Sequence, residues 1–574
     1  MGRTRQSGRP VFIGMLGYFQ MMVHWLLSLF RHPATLPIAV VLLELRRLRG
    51  IARYRDLTSG DTSSYFLDAL RWIADSQLKF AWSPIYSIFS GMILQQTGDH
   101  YAAVLLIRVG SALLLAVAVG LLLRRCLSAG VALLVGAWWA FEPISFDTLY
   151  EIHLFSAIGP VAALWMTLRF PSPAGRAATL ALLTIWTFLQ RNEYAVVVVL
   201  AGAIFVWRDV WRGRHWRPYV LAGVLSVLTV GLAYERSVIK YPELETAFSE
   251  KHTLNVCQIY AFGYQQRHPD WTPSPWTECS GLMQEKFGMR SPTLWQAVVQ
   301  NWRAMTAHFA WNLRLAPAGI QVLLFNQTSF SDNPDYAPVH KTDRAAYYSA
   351  AVLALWLAGL LAAWKNDRFF NILRKEHWPT LLLSGALVVS GLIVAATQRP
   401  RPSYLLAVQV VLMLITGLAL EAIVNRLNLR AWVDPAGLLV LLILLLAMPA
   451  YYTPERFPNR PLLTLYRRLE DNKANLVGRK VLTPGYSGEI CNYLATRPAP
   501  GCEGAFYYGL RDRMRAEGMQ KVLETLRIQV VYVDAAVMGD DVVRAWLPRR
   551  SELGWVTIAE AGGPNPWVLV RKQE

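Results

Sequence analysis

Residues 102–125 read AAVLLIRVGSALLLAVAVGLLLRR, an apolar run interrupted by one charge, Arg108, and closed by Arg124 and Arg125. A helix of about 20 apolar residues crosses the hydrocarbon core of a bilayer, and arginines collect at the cytoplasmic end of such a span. The stretch therefore reads as a membrane span that ends in the cytoplasm. Working outward, comparable blocks fall at about 127–141, 151–168, 177–190, 193–207, 218–234, 345–363, 379–396, 404–421 and 433–451. One further crossing precedes Asp61, either 11–30 or about 33–50, which brings the expected total to eleven.

Composition agrees with this reading. Of 574 residues, 54% are hydrophobic and only 17% charged, too apolar for a soluble enzyme of this length. The net charge of +18 comes from arginines in the links between apolar blocks. No basic stripe lies on a soluble segment, so nucleic acid is excluded as a partner. Arg124/Arg125, Arg169/Arg176, Arg208–Arg217, Lys365–Lys375 and Arg426/Arg430 all fall on one side of the alternation. With a cytoplasmic N-terminus the positive-inside bias is satisfied. The large segments 46–101, 235–344 and 452–574 are then extracytoplasmic. Arginine-rich, lysine-poor usage suggests a bacterial inner membrane.

The expected architecture is a polytopic helical membrane domain, 1–451, followed by a small extracytoplasmic α/β domain, 452–574. Within the latter, 479–483 and 529–534 read as buried strands, 510–526 as a helix, and 555–559 with 567–570 as a hairpin around Gly562-Gly563-Pro564. Cys257 with Cys279 and Cys491 with Cys502 form two local pairs in outer segments, which suits disulfides in an oxidising compartment. Neither pair has the CxxC spacing of a zinc site.

The candidate chemistry lies outside. In Gly60-Asp61-Thr62-Ser63-Ser64-Tyr65-Phe66-Leu67-Asp68, a helix from about residue 62 to 75 places Asp61, Tyr65 and Asp68 on one face. Asp61 reads either as an N-cap or as a site acid. Asp147 and Glu151 share a face where a helix enters the membrane, and an acid there is a candidate site residue by default. Arg191-Asn192-Glu193 and Arg399-Pro400-Arg401-Pro402-Ser403-Tyr404 put arginines on the outer side, against the positive-inside bias. A guanidinium fork matches phosphate oxygens. A phosphate-bearing lipid on the outer leaflet explains these placements and the Arg46–Arg55 cluster; headgroup snorkelling is the competing reading.

Together these segments resemble the GT-C superfamily of membrane glycosyltransferases, specifically the bacterial relatives of the protein O-mannosyltransferases. The resemblance rests on Gly60-Asp61 through Ala69, on Ser83-Pro84-Ile85-Tyr86 leading to Gly98-Asp99, on Glu151 in Leu149-Tyr150-Glu151-Ile152-His153, on Arg191-Asn192-Glu193, and on Arg399 to Tyr404. It covers 33–210 and 379–421. The first loop carries one acid in Gly-Asp-Thr rather than the paired acids of the eukaryotic members, and Asn192 stands where the family has proline.

The resemblance implies a polyprenyl-phosphate sugar donor and a lipid, glycan or protein acceptor. Asp61 would act as base, with Glu151 or Asp147 orienting the acceptor. Tyr65, Asp68, Arg191, Glu193, Arg399, Arg401 and Tyr404 would bind substrate. A divalent cation, magnesium or calcium, could sit among Asp61, Asp147 and Glu151. Trp271, Trp276 and Trp295 either stack on a sugar or anchor at the interface. Two other classes stay open: a transporter or flippase of a lipid-linked precursor, for which Arg108 and Glu44 are the telling residues, and a non-catalytic assembly scaffold.

Overall fold

The structure is a computed structural model that describes residues 28, 30–58, 60–80, 83–142, 149–240, 243–364, 377–471, 478–483, 490–495, 502–533, 535–559 and 567–571. Asp147, residues 560–566 with the expected turn at Gly562-Gly563-Pro564, and most of the 11–30 block lie outside these residues.

The chain is a multi-pass membrane protein. Among the described residues, eight helices are long and apolar enough to cross a bilayer: His100–Cys126, Glu151–Arg169, Asn192–Arg212, Trp216–Ile239, Arg344–Trp364, Trp378–Gln398, Pro402–Arg426 and Arg430–Ala447. Three shorter helices, Thr35–Leu48, Ala129–Phe141 and Pro173–Leu189, pack among them. Leu221 and Val227 on one outer helix and Leu361 on another are about 70% exposed, as side chains that face lipid must be. Helix packing is close where side chains are small: a Cβ on Gly159 would meet the Trp186 ring at 2.4 Å.

The Arg46–Arg55 cluster has a local explanation. Arg46 donates to the carbonyls of Leu446 and Met448 at the end of Arg430–Ala447, and Arg47 to those of Pro449 just beyond it and of Phe141 at the end of Ala129–Phe141. Helix C-termini leave such carbonyls without partners, and cations there also oppose the helix dipole. Arg46 and Arg47 thus have partners at helix ends.

The segment between the spans 216–239 and 344–364 contains the helices Glu243–Arg267, Cys279–Phe287, Leu294–Gln300, Trp302–Arg314 and Ala316–Phe325. Cys257 and Cys279 are bonded, and around them Tyr260, Leu282, Met283 and Phe287 form a separate small core.

After the last span, Pro461–Asp471 leads into a five-stranded sheet of order β2-β1-β3-β5-β4, with β1 Lys480–Thr483, β2 Glu503–Phe506, β3 Val530–Val533, β4 Trp555–Ala559 and β5 Trp567–Arg571. β1 is parallel to β2 and β3, while β5 is antiparallel to β3 and β4. Two details differ from expectation. Strand β2 was not anticipated, because Glu503-Gly504-Ala505-Phe506 has no strand-like alternation. The helix expected over 510–526 is two helices, Tyr507–Glu517 and Met519–Thr525, parted at Gly518 with φ 90°.

Candidate active site

The chain turns sharply before the helix Asp61–Asp75. Gly60 has φ 82°, and a Cβ there would lie 2.5 Å from the Tyr150 hydroxyl oxygen. Only glycine fits that conformation and that space. The helix Asp61–Asp75 starts immediately after it. Gly60 occupies the N-cap position and no side chain caps the helix, so Asp61 is not the N-cap: it is the first helical residue, exposed.

Asp61 faces a cavity of about 810 Å³. Six of the residues singled out in the sequence line it: Asp61, Tyr65, Arg191, Glu193, Arg401 and Tyr404. Tyr404 lies between the two arginines, with the Arg191 and Arg401 guanidinium carbons 5.7 and 5.5 Å from its ring centre. Arg191 pairs with Glu193 at 3.2 Å and Arg401 with Asp335 at 3.1 Å. Arg401 also stacks on Tyr336 at 4.1 Å. Burial, opposed by the Arg401 charge, pushes the Tyr336 phenol up to about 12.

Three predicted residues stand behind the walls. Glu151 is fully buried, accepting from Arg55 Nη2 at 3.0 Å and Thr62 Oγ1 at 2.5 Å, with Arg108 at 3.7 Å. Arg108 also donates to the Leu149 carbonyl. One carboxylate between two guanidiniums and a hydroxyl ties the first outer loop to the spans, and it accounts for the charge inside the span 100–126. It does not suit Glu151 to a divalent cation. Among the described residues no group of three or more His, Cys, Asp and Glu comes together. Asp68 pairs with Arg71 at 2.6 Å and Lys79 at 3.4 Å. Arg399 is buried, donates to the Asn333 carbonyl and lies over Tyr336, so it builds the wall that Arg401 uses. Its φ of 78° is a conformation that non-glycine residues hold only under the constraint of their surroundings.

The cavity also holds residues the sequence reading passed over. Lys79 and Lys251 line it, so four lysines and arginines face two carboxylates. Burial and then the nearby Arg191 charge bring the Lys251 ammonium down to about 8, against the opposing pull of Asp61 and Glu193. Lys79 carried the signal used for Arg191, a cation on the outer side. Lys251 carried none, being one charge in a polar helix of the long outer loop. That loop supplies a wall through Lys251, Gln258, Leu294, Met305 and His308. Burial and the Arg267 charge take the His308 ring down to about 3, so it is neutral at physiological pH. Trp271, Trp276 and Trp295 are not among the lining residues.

Phe188, Ala195, Val198, Val199 and Leu254 form an apolar flank of the same cavity. Of these Phe188, Val199 and Leu254 are half or more exposed. The cavity thus combines an excess of cationic side chains with an apolar flank.

No protein-family model matches the sequence, and no curated protein matches it. Solved structures do. The fold is shared with solved structures of low sequence identity. ArnT from Cupriavidus metallidurans bound to undecaprenyl phosphate aligns with a TM-score of 0.50 at 11% identity, over 94% of this chain and 97% of that one. Archaeal oligosaccharyltransferase AglB from Archaeoglobus fulgidus, in complex with an inhibitory peptide and a dolichol-phosphate, aligns at 14% identity with a TM-score of 0.49, over 89% of this chain and 70% of that one.

Proposed function

We propose that this protein transfers a sugar from a polyprenyl-phosphate carrier to an acceptor on the extracytoplasmic face of a bacterial inner membrane. The observation that carries the reading is the single cavity in which the exposed Asp61 carboxylate faces Arg191, Arg401 and Lys251 beside an apolar flank. The shared fold with ArnT, solved with undecaprenyl phosphate, supports it.

In this reading the three shorter helices complete eleven spans, with the N-terminus cytoplasmic and the sheet outside. The polyprenyl chain leaves the cavity past Phe188, Val199 and Leu254 into lipid. Arg191, Arg401 and Lys251 hold the phosphate. Asp61 takes the proton from an acceptor hydroxyl while its oxygen bonds to the anomeric carbon. The bond from that carbon to the phosphate oxygen breaks, and its electron pair departs with polyprenyl phosphate, with inversion at the sugar carbon. The cations already in place stabilise the charge that grows on the leaving phosphate. Asp61 sits at the cavity surface with room for an acceptor; Tyr65 and Glu193 shape the floor beside it. Glu151 holds the loop in register, and no step needs it as a base.

The test uses purified protein in nanodiscs with a panel of undecaprenyl-phosphate pentoses and hexoses. Asp61→Asn should abolish transfer and donor hydrolysis while undecaprenyl phosphate still binds. Arg401→Ala should weaken that binding by about tenfold or more, the cost of losing a charged contact to phosphate. If the wild-type protein binds neither undecaprenyl phosphate nor any sugar-bearing form, the reading is wrong.

A further inference from the structure

We propose that the segment following the last span positions the Asp61 loop, with Tyr493 as the positioning residue, and that the Cys491–Cys502 disulfide makes this grip depend on oxidation. The inference rests on Asp61 being the acid of the site described above.

Asp61 is placed by a loop, 55–60, that carries little apolar side chain of its own. From the membrane side, Glu151 holds it through Arg55, Thr58 and Thr62. The Tyr101 hydroxyl donates to the Arg55 carbonyl at 2.7 Å, and a further hold comes from residues more than 400 positions away. The Tyr493 hydroxyl donates to the Thr58 carbonyl at 2.6 Å, and Asn492 Nδ2 to Ser63 Oγ at 3.3 Å. These two bonds bracket Asp61 three residues before and two after. The Tyr493 ring lies 5.3 Å from that of Phe66, on the same helix as Asp61, and the Tyr493 carbonyl meets His100 Nδ1 at 2.5 Å. Further out, Asp56 accepts from the backbone N–H groups of Leu462 and Leu463, which caps the helix Pro461–Asp471. Arg467 on that helix pairs with Asp99 at 2.7 Å.

Tyr493 and Asn492 belong to a helix of only four residues, Ile490–Tyr493. A helix that short has no stability of its own, because its first turn is the costly step. Its place is set by what it is attached to. Cys491, one residue before Asn492 and two before Tyr493, is bonded to Cys502, next to strand β2. The disulfide thus fastens the two gripping side chains to the sheet. Breaking it removes a covalent tie and leaves the short helix held to the sheet by packing, through Ile490, Tyr493 and Leu494 in the core they share with Val481 and Val530.

The decisive measurement is amide hydrogen exchange on the full chain in nanodiscs, with undecaprenyl phosphate as binding probe. Three proteins are compared with wild type: Tyr493→Phe, which keeps the ring and removes the bond to Thr58, Cys491→Ser/Cys502→Ser, and Cys257→Ser/Cys279→Ser as the control pair. Exchange at residues 57–63 should rise about three- to tenfold in the first two, the range set by one lost hydrogen bond, and stay unchanged in the control. Undecaprenyl phosphate affinity should hold within about twofold in Tyr493→Phe, while turnover of the donor found in the panel falls, so the loss is in the chemical step. Unchanged exchange in both variants overturns the grip. Raised exchange with unaltered turnover overturns the positioning role. If exchange responds but wild type neither binds undecaprenyl phosphate nor turns over a donor, the grip stands and the glycosyltransferase reading fails.

Discussion

Lys251 and Glu151 show how little residue type says about role in this chain. Both are charged and both sit near Asp61. Glu151 is spent on Arg55 and Arg108, while Lys251 faces the cavity beside Arg191. With its ammonium brought down to about 8, Lys251 is charged at pH 7 and largely neutral at pH 9. A bound phosphate favours the charged form, so undecaprenyl phosphate affinity should fall as pH rises through 8. The fall should be about tenfold between pH 7 and 9, the weight of one charge-assisted contact. Lys251→Arg, charged throughout, should flatten the profile in titrations at fixed ionic strength; an identical profile in the variant would assign the pH dependence elsewhere.

At the scale of elements, the junction between loop and helix at Gly60 matters most. Its backbone lies where a side chain is strained, and the Tyr150 ring fills the space a Cβ would need. Gly60→Ala should therefore move the start of Asp61–Asp75 rather than be absorbed. The strain is about 1–3 kcal/mol. We expect turnover to fall at least tenfold with undecaprenyl phosphate affinity nearly unchanged, because Arg191 and Arg401 come from other elements. A variant with normal turnover would show that the loop accommodates the methyl group without moving Asp61. This junction was partly legible in the sequence: Gly60-Asp61 marked a break and the helix was expected from about residue 62 to 75. Which residue occupied the cap was not legible, since an N-cap aspartate and a first-turn aspartate look alike without the backbone angles.

For the whole molecule, the distribution of basic links predicts an extracytoplasmic C-terminal segment, and the two disulfide pairs call for the same compartment. Alkaline phosphatase fused after Arg571 should be active in cells, and the same enzyme fused after Arg212 inactive. The reverse pattern would invert the orientation and place the cavity on the cytoplasmic side.

Membrane spanning, the approximate helix boundaries and the acid-bearing first loop were determined by the sequence alone, because each depends on a local pattern: a 20-residue apolar run, its basic end, a Gly-Asp break. The tertiary structure decided which charges face the cavity. Arg399 and Arg401 are two residues apart with the same sequence signal, yet one is buried behind Tyr336 and the other lines the site. Arg46 and Arg47 resembled phosphate ligands and have partners at helix ends. A buried charge goes to whichever partner the fold brings within a few ångströms. Such partners here lie as far as 407 positions away, a distance over which periodicity and local spacing carry no information.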